Sequence, residues 1–210
     1  MAYDFEEQEQ LESLKAWWAR YGNLIMGVII VILLGFASWN GWKWYQQKQA
    51  AGAAAYYEAL ENAVEQKDLP KVGDAAGALL GEYGGTDYAP RGALLAAYAY
   101  LSEGDRQSAR AQLEWVIGKS KDPTLIPVAR LRLAAVLLDD EAFDEALRVL
   151  DAGAPTAFEG LFADRRGDAL AGKGDRSAAA QAYREALAKL SGEPSLQSTV
   201  QLKLDALGAE

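Results

Sequence analysis

The chain has 210 residues, no cysteine and no histidine, and 21 basic against 30 acidic side chains for a net charge of −9. Without cysteine there is no disulfide framework, thiolate nucleophile or sulfur metal site, and without histidine the commonest general base and metal ligand at neutral pH are gone. The acidic balance excludes the basic stripe that tracks a nucleic-acid backbone.

Residues 1–20 read as a short acidic tail carrying Asp4, Glu6, Glu7, Glu9 and Glu12. Residues 21–42 follow without a charge and are apolar enough to cross hydrocarbon, which takes roughly 20 residues. Trp17, Trp18 and Tyr21 stand on one side and Trp39, Trp42 and Trp44 on the other, placed as membrane anchors in the two headgroup layers. From Trp18 to Trp39 a helix rises about 31 Å, close to the thickness of a bilayer core. A cleaved export signal wants a basic leader and a small-residue site close behind its apolar run. Here the leader is acidic and the AAGAAA run at residues 50–55 lies well past the apolar segment. A soluble core helix is seldom apolar on every face for four turns. The segment therefore reads as a transmembrane signal anchor in contact with membrane lipid. Lys15 and Arg20 precede it and Lys43 and Lys48 follow, so the positive-inside count is a tie and charge does not orient the chain. Ala37 and Gly41 make a small-xxx-small pair that admits another helix closely.

Residues 43–55 are expected to form a juxtamembrane helix or linker, and residues 56–210 one all-helical domain. Beyond residue 20 the charges leave a net of −6. Helical apolar periodicity begins at Tyr56, Ala59, Leu60, Ala63 and Val64 and returns in RGALLAAYAYL, VARLRLAAVLL, FDEALRVL and AAAQAYREALAKL. Turn-forming LSEGDRQ, KSKDPTL, DAGAP, AGKGDRS and SGEPS fall between them. Ala76, Ala109, Ala146 and Ala179 are 33, 37 and 33 residues apart and set a repeat of four helix pairs. Twelve residues before each stand Val64, Ala97, Ala134 and Gly167, where a hairpin's two helices approach; Val64 breaks the small-residue pattern. Pro90, Pro123, Pro155 and Pro194 are expected to end each pair, and a final helix near residues 196–207 to cap the stack.

The spacing, the small contact residues and the boundary prolines resemble the tetratricopeptide repeat, although the early Trp of that family is missing from all four units. The clearest unit is residues 161–187. A wider resemblance covers nearly the whole chain. The tail ending LESLKAWWARYG, one span, VARLRLAAVLL, ADRRGDALAGKGDRSAAAQAY and the closing LQSTVQLKLDALGA, in that order, are similar to the ancillary SecYEG translocon subunit family, or YfgM-like proteins. The resemblance implies a cytoplasmic N-terminus, a single inner-membrane span and a periplasmic repeat domain. It also implies association with the SecYEG translocon and a PpiD-like membrane chaperone, and a role in linking exported polypeptides to periplasmic chaperones.

No catalytic constellation is legible, and no enzyme, cofactor or metal is expected. GDALAGKG at residues 167–174 has the spacing of a phosphate-binding loop until Gly174 replaces the magnesium-holding hydroxyl, and no strand precedes it. DDEAFDE at residues 139–145 lacks the central Gly of a calcium loop and reads as a turn. What a repeat of this kind offers is a groove lined by the first helix of each pair. With the alanines as register, the groove positions are Glu58, Glu61 and Glu65; Arg91, Leu94 and Tyr98; Leu131, Arg132 and Ala135; and Asp164, Arg165 and Asp168. The third unit's first helix is apolar almost all round, so it is either covered on two sides or shows an apolar patch suited to extended polypeptide. On the second alternative, Leu131→Asp with Tyr98→Ala weakens partner capture without unfolding. The reading is a membrane-tethered adaptor of the translocon. The alternative is a scaffold, cytoplasm-facing or in envelope assembly, that sequesters a regulatory protein.

Overall fold

The computed structural model describes residues 2–208, which are all-helical with no strand among them. They fall into two compact units, Met1–Gln49 and Ala50–Glu210.

The first unit is taken up by α1 (Ala2–Glu65), which also enters the second. Along its apolar stretch the side chains meet nothing else in the chain: Leu24, Val31, Leu34 and Phe36 are 68, 69, 63 and 67% exposed. A buried helix of a soluble protein would be covered by neighbours, whereas this one is long and apolar enough to cross a membrane and needs an apolar solvent. Its helical form bonds the backbone internally, as hydrocarbon demands. Cations at both ends of the apolar stretch lie near aromatic rings. The Arg20 guanidinium is 5.8 Å from the Tyr21 ring centre, the Lys43 ammonium 5.5 Å from that of Trp39 and the Lys48 ammonium 5.5 Å from that of Trp44, so each charge lies within cation–π reach of a ring.

The second unit starts at Ala50, within the stretch expected to be a juxtamembrane helix or linker, which is helical. Ala53 is fully buried beside Leu79 and Ala89, so the end of α1 already serves as the first repeat helix. After it come α2 (Leu69–Tyr83), α3 (Tyr88–Ser102), α4 (Arg106–Lys119), α5 (Leu125–Asp139), α6 (Phe143–Asp151), a 3-10 turn (Thr156–Phe158), α7 (Glu159–Gly172), α8 (Arg176–Lys189) and α9 (Pro194–Ala206). These make four hairpins and a capping helix in a tetratricopeptide-repeat-like fold.

One turn geometry builds all four hairpins. Lys67, Gly104, Glu141 and Gly174 take positive φ of 55, 82, 57 and 83°, and each donates its N–H to the carbonyl three residues back at 2.9–3.1 Å. The next residue caps the second helix. Asp68, Asp105 and Asp175 accept from the N–H three residues on, at 3.2, 3.0 and 3.0 Å, while Ala142 has no oxygen to offer. The acidic DDEAFDE stretch is accordingly the third of these turns and the start of α6.

The turns correct the register of the first unit. Four residues past the caps lie Val72, Ala109, Ala146 and Ala179, all fully buried. The equivalent of the three alanines is thus Val72, one helical turn before Ala76. Both positions share a face and both are buried, so the alanine at 76 imitated the pattern. The hairpin contact twelve residues earlier becomes Leu60, which is fully buried, in place of the discordant Val64. Pro123 and Pro155 fall in the segments that follow α4 and α6, but the other two prolines act differently from expectation. Pro90 lies in the first turn of α3 and Pro194 opens α9, where a missing N–H leaves no helical bond unmade, so they begin helices instead of ending pairs.

Helix α5 packs against α3, α4, α6 and α7. Its apolar residues are buried or half-buried, and none is exposed, which explains its all-round apolarity as coverage on two sides. At the α7–α8 contact a side chain on Gly167 would place its first carbon 2.4 Å from Cε1 of the buried Tyr183 ring. Gly167→Ala is expected to cost about 1–3 kcal/mol by overpacking, readable as a lower urea midpoint at unchanged slope; an unaltered midpoint would contradict the close approach.

Candidate protein-binding groove

The first helices of the hairpins adjoin in sequence, α3 against α5 and α5 against α7. Counted back from the turns, two lines of residues run along them. Ten residues before each turn come Tyr57, Leu94, Leu131 and Asp164, and six before come Glu61, Tyr98, Ala135 and Asp168. The register correction thus replaces Glu58 and Glu65 with Tyr57 on these lines; both glutamates are exposed.

The nine residues expected in the second to fourth units divide by what they touch. Leu94 is only 8% exposed and belongs to the core, and Leu131 is half-buried against Ala134, Leu150 and Phe162. A carboxylate at position 131 would enter that core, so Leu131→Asp is a folding lesion and not a probe of the surface. Ala135 is half-buried. Tyr98, in contrast, is 61% exposed; among the described residues of the repeat unit the other exposed large apolar side chains are Leu196 and Leu202 on the cap. Arg132 is exposed and reaches across to α3, where its Nη1 donates to the Leu94 carbonyl at 3.4 Å, one turn before Tyr98. Arg91 is exposed one face over. Burial, then the Glu61 charge, pushes the Tyr57 hydroxyl up while Arg91 pulls it down, which places Glu61, Tyr57 and Arg91 within electrostatic reach of one another.

The fourth unit's part of the groove is already filled. Lys203 from α9 donates to Asp164 Oδ1 at 2.8 Å and to Asp168 Oδ2 at 2.9 Å, and its ammonium lies 5.8 Å from the Tyr183 ring centre. Tyr183 donates its hydroxyl to Asp168 Oδ1 at 2.9 Å, and Arg165 Nη1 donates to Asp168 Oδ2 at 3.0 Å. Asp164 and Asp168 are 14% and 19% exposed at the side chain and serve the cap; Arg165, 41% exposed, keeps part of its donor fork for water. Sequence reasoning missed Lys203 and Tyr183. The signal was a lone lysine in the capping segment opposite two carboxylates assigned to one groove end.

Burial, and after it the Asp168 charge and hydrogen bond, push the Tyr183 hydroxyl well above the ordinary tyrosine value of 10.0. Below that value folded and unfolded chains are both neutral here and stability is intact. As pH rises past it the unfolded tyrosine ionises first, so stability falls until the folded hydroxyl ionises too. Denaturant midpoints between about pH 9 and 12 should fall less steeply in Tyr183→Phe than in the parent. Tyr100 and Tyr57, raised chiefly by burial, and Lys189, raised by its hydrogen bond to Glu159, contribute to the slope that remains. Equal slopes in parent and variant would remove Tyr183 from the alkaline transition.

The groove that stays open therefore centres on Tyr98, with Arg132, Arg91 and Glu61 around it. A solved structure, MamA 41-end from Desulfovibrio magneticus RS-1, aligns with 73% of this chain and 85% of its own at a TM-score of 0.49 and 20% identity. Residues 15–209 match the family described as tetratricopeptide repeat-like domain. The Haemophilus influenzae protein named ancillary SecYEG translocon subunit is 30% identical over 207 residues, which cover 99% of this chain and 100% of that one. The Escherichia coli protein of the same name is 31% identical over 204 residues, 96% of each chain. With a span and a four-hairpin unit matched from end to end, the chain belongs to the tetratricopeptide repeat-like family and, within it, to the ancillary SecYEG translocon subunits.

Proposed function

We propose that this protein is a non-enzymatic, membrane-tethered adaptor of the Sec translocon. The observation that carries the reading is that its likeness to proteins named as translocon subunits runs through both the span and the repeat unit. The tail lies in the cytoplasm, residues 21–42 cross the inner membrane with Trp17, Trp18, Tyr21, Trp39, Trp42 and Trp44 at its faces, and the repeat unit lies in the periplasm. There the surface around Tyr98, Arg91 and Arg132 receives exported polypeptides or a PpiD-like chaperone. Tethering confines that surface to the mouth of the channel, so a weak contact acts at high effective concentration and no bond-breaking step is needed.

The test is protease treatment of spheroplasts together with crosslinking from a photoreactive residue at position 98. Digestion of the repeat unit and a crosslink to a translocon subunit or its membrane chaperone support the adaptor. Protection that ends only when the membrane is opened puts the unit in the cytoplasm, and a scaffold that sequesters a regulatory protein takes its place.

A further inference from the structure

A cavity of about 260 Å³ opens between the α2–α3 turn and the α4–α5 loop, sharing Arg91 with the edge of the Tyr98 groove. Its walls carry three cations, Arg91, Lys119 and Lys121, and two carboxylates, Asp87 and Asp122. None of the three cations has an ion-pair partner within 4 Å among the described residues, in contrast to Arg106, Arg110, Arg166, Lys173, Lys189 and Lys203. Asp122 is engaged inside its own loop: Oδ1 accepts from the Thr124 N–H at 2.8 Å and hydroxyl at 2.6 Å. Asp87 is exposed and makes no capping bond to α3. The cavity thus carries a net positive charge within a unit of the opposite sign. Four of the 21 basic and five of the 30 acidic residues precede Ala50, which leaves the repeat unit at −8.

The place of the cavity along the chain narrows its ligand. The α2–α3 turn is flanked by Tyr83 and Tyr88, whose rings lie 5.6 Å from those of Tyr56 and Tyr57. This edge therefore abuts the first residues of the repeat unit. Ala53, buried there, is nine residues from Trp44, at most about 32 Å of fully extended chain, so on the proposed placement of residues 21–42 in the membrane, on which this inference rests, the chain tethers this edge to the bilayer surface. A phosphate fixed at that surface is the nearest abundant anion, and the volume, a little below that of drug-sized pockets, suits a head group and not a whole lipid.

We propose that this cavity binds the head group of an anionic phospholipid, its phosphate held by Arg91, Lys119 and Lys121 and a head-group hydroxyl donating to Asp87. The contact is a second, weak attachment that biases the acidic repeat unit toward the membrane despite its overall repulsion from an anionic surface.

The experiment uses the full chain in nanodiscs of phosphatidylcholine, with or without phosphatidylglycerol, and hydrogen exchange of residues 84–91 and 119–122. Phosphatidylglycerol should slow exchange in both segments several-fold, and the Lys119→Gln, Lys121→Gln double variant should lose that protection while the α5 and α7 amides exchange as before. Equal exchange in the two kinds of disc overturns the proposal, as does protection spread evenly over the repeat unit or kept in the double variant. Inorganic phosphate giving the same protection in phosphatidylcholine discs would identify a site for free phosphate and overturn the lipid assignment. Should the double variant lose protection in α5 and α7 as well, Lys119→Gln alone, judged by the same contrast between discs, decides.

Discussion

Phe162→Ala lowers the stability of the repeat unit by about 3–5 kcal/mol, a large share of the 5–15 kcal/mol of an ordinary domain. Phe162 heads the fully buried side chains by volume, at 1% exposure, and it projects from α7 against Ala134 of α5 and Leu150 of α6. Leu131, Ala154 and Phe158 close over the same cluster, so little is free to collapse into the space left by the ring. The ring is also the join between the third and fourth hairpins. In a stacked array each hairpin leans only on its neighbours, so weakening one join uncouples what lies on either side. Hydrogen exchange of the full chain in detergent should show α7, α8 and α9 opening at lower denaturant than α3 and α4. A loss below about 1 kcal/mol, or uniform opening of all hairpins, would mean that the cluster is not the join.

Tyr98→Ala with Arg132→Ala weakens capture of the partner about 30-fold or more and leaves the fold intact. Exposed aromatic and arginine residues at the centre of an interface account for most of its binding free energy, and a loss of about 2 kcal/mol or more on truncation corresponds to that factor. Tyr98 is 61% exposed, and Arg132 makes only a 3.4 Å bond to a carbonyl, so the two substitutions fall among surface changes of small effect on stability. The measurement is affinity of the detergent-solubilised variant for purified SecYEG and for the membrane chaperone, beside its thermal midpoint. Unchanged affinity for both in a folded double variant would move the binding surface off the first helices.

The helix long and apolar enough to cross a membrane was legible because hydrocarbon constrains sequence more strongly than a protein core does: an uncharged run flanked by aromatic residues has few other uses. The hairpins were legible because their turns demand a residue tolerant of positive φ followed by a short acceptor, and Gly104–Asp105 and Gly174–Asp175 announce both. Where Lys67 and Glu141 hold the same backbone without glycine, the signal fades, and at Lys67 the register slipped by one turn. Val72 and Ala76, buried apolar positions four residues apart, are equivalent to a periodicity argument, and only the turn separates them. The groove was read least well. Leu94 and Leu131 share spacing with Tyr98 and Asp168, but spacing assigns a face and not the neighbour that covers it. The long-range partners, Arg132 with Leu94 and Lys203 with Asp164, join residues 38 and 39 positions apart. Likewise an apolar helix such as α5 looks the same in sequence whether four helices cover it or none.

Lys203 and its two carboxylates also determine how many hairpins the protein has. A solenoid end resembles the exposed step of a growing crystal, offering to the next unit the same surface that every interior unit has already covered. Here α9 occupies that step with Val200 and Leu204 against the apolar side and Lys203 against the charged side. A chain cut before Pro194 would present a bare step of one hand to copies whose opposite end carries a related surface. Such heterologous contacts do not close on themselves, so the product is a head-to-tail filament. The cap therefore keeps the protein a countable subunit instead of a polymer.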